Sequence, residues 1–306
     1  MARKLRYIPD PPTLVSITCR IVQGRFLFRP GAAFNDRFLG IIGRAQRRHE
    51  LVLNAVSVLS SHFHILAVAE NARQIAGFMR DLQSKLARET NRLTGWKGPV
   101  FERRYEMTVV TDEDRAQIER LQYVLAQSVK EGLVEQVRQW PGVHSAAALI
   151  DGTPLVGHWH DRSREFAARN QRQETTPLQF ATEELVVLSP IPCWAQLEHE
   201  VYRARVAAMV EAIETEAALV RNLKGLSVLG VEAILAKDPQ HRPASLARSP
   251  APLVHAATKA VRKAFYDAYA WFVAAFREAA ERLRLGDRNA PFPSGSFPPA
   301  LPFVAG

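Results

Sequence analysis

Apolar and polar positions change rhythm along this chain in a way that separates its two halves. In the first half, short alternating runs are interleaved with stretches at helical spacing. Leu14-Val15-Ser16-Ile17-Thr18-Cys19-Arg20 is rich in β-branched residues and predicts a first strand, with Phe26-Leu27-Phe28 returning after Gly24. Residues 34–50 then carry Phe38, Ile41, Ile42 and Ala45 on one helical face and Arg37, Arg44, Arg47 and Arg48 on another. A second strand over 51–58 turns at Ser60-Ser61 into a third, His62-Phe63-His64-Ile65-Leu66-Ala67-Val68, and the two form a hairpin. Asn71 is placed to cap a helix ending before Gly95. A loop over 98–105 leads into a strand over 106–110, and Thr111-Asp112-Glu113-Asp114 opens a helix running to about Ser128. The order strand, helix, strand, strand, helix, strand, helix predicts an α+β unit, a mainly antiparallel sheet with helices on one face.

The rhythm loosens after Trp140-Pro141. Residues 151–177 are polar with little period and predict a linker or partly ordered arm. Helical spacing returns over 195–223, 227–235 and 252–285, and the proline-rich segment 291–306 predicts a tail. The expected organisation is therefore a first domain over 1–150, the linker, a helical accessory domain over 178–290, and the tail.

Composition narrows the setting. The chain has 306 residues, of which 47% are hydrophobic, enough for a core without staples. Cys19 and Cys193 fit no metal or redox spacing, and Met1-Ala2-Arg3-Lys4-Leu5-Arg6 runs into prolines rather than an apolar segment. A cytoplasmic, nucleoid-associated protein with no membrane span is expected. Of the net charge of +9, the first 150 residues supply +8, from 22 Lys+Arg against 14 Asp+Glu. Such a basic half suits a polyanionic partner, although excess arginine also serves simply to solubilise a surface. Residues 178–306, with 14 Lys+Arg against 13 Asp+Glu, are near neutral and offer no second major nucleic-acid surface.

Candidate chemistry concentrates on the third strand and the last helix of the first half. Side chains alternate along a strand, so His62 and His64 point one way while Phe63 and Ile65 point the other. Two neutral imidazoles on one face suit a divalent metal, and equally a pair of half-buried histidines. Tyr123 and Gln127, four residues apart, lie on one helical face. That spacing is compatible with a phenolic nucleophile beside an amide ligand. Taken alone, it is also that of a core-edge aromatic and a solvated glutamine.

The motifs together carry a resemblance. His62-Phe63-His64 looks like the HUH motif, and the chain around it resembles the single-tyrosine HUH transposases, especially the REP-associated tyrosine transposases. The turn and strand over 58–66, the loop Gly98-Pro99-Val100-Phe101-Glu102-Arg103-Arg104-Tyr105 and the segment over 121–134 fall in that family's order and spacing, covering residues 10–150. Ser60-Ser61 stands where the family usually has Pro-Asn or Pro-Glu, and Gln127-Ser128 where it usually has Asn-Pro. The resemblance implies a ferredoxin-like HUH domain followed by a mainly helical region. It implies Tyr123 as nucleophile and His62, His64 and Gln127 as ligands of Mg²⁺ or Mn²⁺. The implied activity is that of a single-stranded DNA endonuclease and strand transferase acting near REP-like hairpins through a 5′-phosphotyrosine, as a monomer or homodimer.

Candidate DNA contacts are Arg44, Arg47, Arg48, Arg80, Lys85, Arg88, Arg103 and Arg104, together with Arg92. Two other readings stay open from the sequence. One is a domesticated, inactive protein that binds DNA hairpins without cutting; the other is an unrelated hydrolase using the histidine pair with water as nucleophile.

Overall fold

The computed structural model describes residues 5–9, 12–171, 176–244 and 252–299. Its regular elements are β1 (Thr13–Arg20), α1 (Ala32–His49), β2 (Val52–Leu59), β3 (His62–Ala69), α2 (Ala72–Thr94), β4 (Glu106–Val110), α3 (Asp114–Leu125), α4 (Gln127–Lys130), α5 (Ala146–Asp151), β5 (Leu155–His160), α6 (Arg162–Asn170), β6 (Ala181–Val186), α7 (His199–Lys224), α8 (Val231–Ala236), β7 (Val254–His255) and α9 (Lys259–Arg284). The main sheet runs β2-β3-β1-β4-β7. Neighbours among the first four strands are all antiparallel, and this strand order with the β-α-β-β-α-β chain order is the ferredoxin-like arrangement. β7 adds parallel to β4 at the edge.

Local signals explain the element ends. Asn71 Oδ1 accepts from the Gln74 N–H at 2.9 Å, satisfying one of the free donors at the start of α2. The same helix stops at Gly95, whose φ of +67° is open to glycine at little cost. On the α1–α2 side of the sheet, Val15, Ile17, Cys19, Val56, Val58, Phe63, Ile65 and Ala67 form a continuous apolar core. Phe63 and Phe38 are both 0% exposed, and their rings meet edge to face with centroids 5.7 Å apart. Burying each such ring stabilises the fold by about 1.5–3 kcal/mol. The opposite face is covered in part by α3, α5 and α7 around a second core of Leu14, Ala55, Leu59, Leu66, Leu121, Val124 and Val206.

The structure departs from expectation in several places. Phe26-Leu27-Phe28 is not a returning strand; the segment turns back on itself through the Arg29 N–H to Phe26 carbonyl bond, and the Phe28 N–H reaches Ser60. Residues 151–177 are not a linker across their described part. They hold β5 and α6, and β5 pairs antiparallel with β6 over Leu155–Val186 to His160–Ala181. This hairpin lies directly on α1, where a Cβ at Gly40 would sit 2.1 Å from the His158 carbonyl carbon, so backbone meets backbone. Arg162 ties α6 to α2 and to itself, bonding Glu89 Oε1 and Glu165 Oε2, each at 2.7 Å.

Packing also crosses the boundary expected at residue 150. α7 shares its core with α3, and β7, within the segment expected to begin the last helix, pairs with β4 because Val254 and His255 extend past Pro252. That helix starts only at Lys259, capped by Thr258. Of the expected tail, residues 300–306 lie outside the described residues; Phe292 rests on Phe276 of α9, ring centroids 5.2 Å apart.

Candidate active site

The β3 alternation does what the pattern requires. Phe63 and Ile65 enter the apolar core, and His62 and His64 emerge on the other face with ring centroids 5.0 Å apart and planes at 90°. The β1 register sets Arg20 opposite His62 and Thr18 opposite His64. Cross-strand neighbours on one face touch: Thr18 Oγ1 lies 2.9 Å from His64 Nδ1. Ser61 Oγ is 3.1 Å from His62 Nδ1.

α3 delivers Tyr123 over this pair, its ring centroid 5.3 Å from that of His64 and nearly perpendicular to it. The helix expected to run to Ser128 breaks at Ala126, between α3 and α4. His144 reaches that junction, with Nε2 3.2 Å from the Leu125 carbonyl and Nδ1 accepting from the Ala146 N–H at 3.1 Å. Just past the break, Gln127 Nε2 donates to the Tyr123 carbonyl at 2.6 Å. The Gln127 side chain also favours a proton on His62, a smaller influence than burial and Arg20. His62, His64, Tyr123 and Gln127 thus converge within one chain.

The donor set fits a divalent cation. His64 Nε2 is buried without a hydrogen-bond partner, a state that costs about 1–3 kcal/mol unless something occupies its lone pair. Because Nδ1 is the nitrogen that meets Thr18, Nε2 faces away from β1. Burial and, after it, Arg20 push His62 down from 6.5 to about 4. Burial followed by His62, Arg120, Arg20 and Lys130 holds His64 well below 6.5. Both rings are therefore neutral near pH 7, as metal ligation demands. Among the described residues no group of three or more His, Cys, Asp and Glu could hold a metal ion. A cation here would rest on two imidazoles, the Gln127 amide and oxygens brought by its ligand, a mixed nitrogen and oxygen set.

The cations at this face differ from those singled out in the sequence. Arg120 lies over the Tyr123 ring at 4.5 Å and Lys130 at 5.1 Å, both to the centroid. Burial lowers the Arg120 guanidinium below its ordinary value, against the opposing pull of Tyr123. Arg120, Tyr123, Gln127 and Lys130 recur at intervals of three, four and three, a helical stripe that was readable in advance. Arg20 was not, because only the β1–β3 register brings it to His62.

The other candidates lie elsewhere. Arg44 and Arg47 both bond Glu184 at 2.9 Å, Arg44 also stacks on Trp159 at 3.7 Å, and Arg48 pairs with Asp81 at 3.1 Å. Arg80 sits 3.6 Å from Asp81, and Arg92 3.8 Å from Glu89. These residues, with Lys85 and Arg88, belong to α1 and α2 on the side of the sheet away from the histidines. Arg103 and Arg104 are in the loop before β4, where Arg103 pairs with Glu106.

Solved structures to which this chain is similar include the following two. The structure of a REP-associated tyrosine transposase bound to a REP hairpin is 18% identical with a TM-score of 0.41, over 49% of this chain and 86% of that one. A crystal structure from Deinococcus radiodurans R1, described as that of a transposase, is 19% identical with a TM-score of 0.29, over 40% of this chain and 95% of that one. No family model matches the chain, and no curated protein matches it. No described helix is long and apolar enough to cross a membrane.

Proposed function

We propose that this protein is a metal-dependent endonuclease and strand transferase of transposase type, acting on single-stranded DNA beside hairpins of the REP-like kind. The observation that carries the reading is the convergence of His62, His64 and Gln127 beneath the ring of Tyr123, whose centroid lies 5.3 Å from that of His64. His62, His64 and Gln127 would hold Mg²⁺ or Mn²⁺, which when bound would supply Lewis-acid polarisation of the scissile phosphate. Tyr123 attacks the phosphorus. Its Oη–P bond forms as the P–O3′ bond breaks, and the proton lost by the phenol is balanced by one gained at the departing 3′-oxygen. The products are a 5′-phosphotyrosine and a free 3′-hydroxyl, and the reverse reaction with another 3′-hydroxyl joins strands without an external energy source. Arg120 and Lys130, both against the Tyr123 ring, are placed to bind the phosphate that the nucleophile approaches. One chain contributes all of these groups, an arrangement that favours a self-contained site whether the protein is a monomer or a homodimer.

The test incubates purified protein with labelled single-stranded hairpin oligonucleotides from the flanks of its own gene, with Mg²⁺ or Mn²⁺, on a denaturing protein gel. A covalent protein–DNA band that requires the metal and is absent in Tyr123→Phe is the expected result. Binding in native gels with no covalent band under either metal would replace this reading with that of a hairpin-binding protein that does not cut.

A further inference from the structure

The wall of the site that faces away from the histidines is not closed. Between α3–α4 and α7 lies a cavity of about 700 Å³, well within the range of small-molecule and cofactor pockets. Tyr123, Ala126 and Lys130 line one side, and Ile213, Ala217 and Arg221 the other. The far end is fixed rather than loose. After α7 ends at Gly225, the chain returns to α4, where the Leu229 N–H bonds the Gly132 carbonyl at 2.9 Å and the Gly230 N–H bonds the Leu133 carbonyl at 3.0 Å. At the other end, Glu214 Oε1 accepts from the Val137 N–H at 2.8 Å, anchoring α7 from its middle. Arg221 belongs to this wall, and its Nη1 is buried with no hydrogen-bond partner.

We infer that this cavity takes one unpaired nucleobase of the single strand, next to the phosphate that Tyr123 attacks. The inference rests on the nuclease reading above and deepens it by assigning the α7 wall a role in choosing where the strand is cut. Two observations carry it. The nucleophile itself lines the cavity, so a group bound there lies within a nucleotide or so of the reacting phosphorus. Its walls join apolar surface, from Ala126, Ile213 and Ala217, to charged groups of both signs, Glu131 and Glu216 with Lys130 and Arg221. That combination suits a base, which buries two apolar faces and presents donors and acceptors at its edge. A phosphate alone would leave the apolar walls uncovered, and an aliphatic ligand would offer no partner to Lys130 and Arg221.

The test is equilibrium binding of each of the four deoxynucleoside 5′-monophosphates, and of abasic deoxyribose 5-phosphate, to the full chain, read from protein chemical shifts. Ala217→Trp fills the cavity, Arg221→Ala removes the unpaired donor, and Tyr123→Phe keeps the cavity. We expect at least one nucleotide to bind wild type and Tyr123→Phe alike, roughly tenfold more weakly to Ala217→Trp, the scale of one lost base-stacking contact, and severalfold more weakly to Arg221→Ala. The abasic probe should bind more weakly than that nucleotide. Equal binding of the abasic probe, or nucleotide binding unchanged in both cavity variants, would overturn the inference, as would the absence of any nucleotide binding. Should Ala217→Trp fail to fold, Arg221→Ala decides alone. The covalent-band assay separates this inference from the one beneath it. If wild type forms the band and sequencing of its cut sites shows the same base preference in Arg221→Ala, the cavity assignment fails while the nuclease reading stands; no band with any oligonucleotide removes the nuclease reading instead.

Discussion

The two faces of the main sheet are built from the same strands and do opposite work. On the α1–α2 side, β1 contributes Val15, Ile17 and Cys19 and β3 contributes Phe63 and Ile65, all 0% exposed and all apolar. On the other side the same two strands present Thr18, Arg20, His62 and His64, and Ser16 Oγ, Ser57 Oγ and His64 Nε2 are buried there without hydrogen-bond partners. Buried polar atoms are almost always paired, so a face that leaves several unpaired carries a cost that the apolar face does not. The period-two alternation of a strand lets one residue step separate stability from chemistry: Phe63 and His64 are adjacent in sequence and belong to different faces.

Substitutions at those neighbours break the comparison most directly. Phe63→Ala is expected to destabilise the protein by about 3–5 kcal/mol, the scale of a buried phenylalanine replaced by a cavity, measured as a lowered urea midpoint. His64→Ala should move the same midpoint by no more than about 1 kcal/mol, because loss of packing is offset by relief of an unpartnered nitrogen. It should nevertheless abolish the metal-dependent covalent band. Equal destabilisation by both would mean that His64 is simply part of a core.

Acid should weaken the histidine face and leave the phenylalanine face alone. The His144 imidazole, held near the α3–α4 break, is pushed by burial from 6.5 down to about 4, against the Leu125 carbonyl bond that favours its proton. With a folded value below the unfolded one, the unfolded chain takes up the proton first. The stability contributed is therefore whole above pH 6.5 and is lost as pH falls toward 4, by at most about 3 kcal/mol for this residue. His62 acts in the same direction over the same window. Urea midpoints measured between pH 7.5 and 4.5 should fall in wild type, and the fall should be visibly shallower in His144→Gln.

The alternation and the 120–123–127–130 stripe were legible because both depend on local periodicity. Periodicity placed His62 with His64 and Tyr123 with Gln127 on shared faces, and the family resemblance singled the four out; Arg120 and Lys130 could have been added had the stripe been followed in both directions. The rest depends on pairings between segments far apart in the chain. Arg20 meets His62 only through strand register. β5 carries Gly157, His158 and His160 instead of an alternating apolar pattern, because one side of it lies against the α1 backbone at Gly40. Arginine spacing on α1 and α2 suggests a nucleic-acid surface, and in the structure Glu184 and Asp81, from distant or neighbouring elements, pair with Arg44, Arg47 and Arg48. No local pattern announces those partners.

The smallest expected effect sharpens that last point. Arg48 is 68% exposed and its ion pair with Asp81 is on the helical side. Arg48→Ala should shift stability by no more than about 0.5 kcal/mol and leave the yield of covalent adduct as in wild type. A tenfold loss of adduct would show that DNA wraps onto the α1–α2 side as well.

The central claim is that the polar face carries a tyrosine nucleophile, and peptide mapping tests it most directly. Trypsin cuts after Arg120 and Lys130, releasing Leu121-Gln122-Tyr123-Val124-Leu125-Ala126-Gln127-Ser128-Val129-Lys130, in which Tyr123 is the sole tyrosine. After reaction with a single-stranded hairpin oligonucleotide in Mn²⁺ and nuclease trimming, mass spectrometry of this peptide should show a nucleotide mass on Tyr123, and chelation of the metal before reaction should remove it. A covalent nucleotide on any other residue, or cleaved DNA with this peptide unmodified throughout the reaction, would contradict the account.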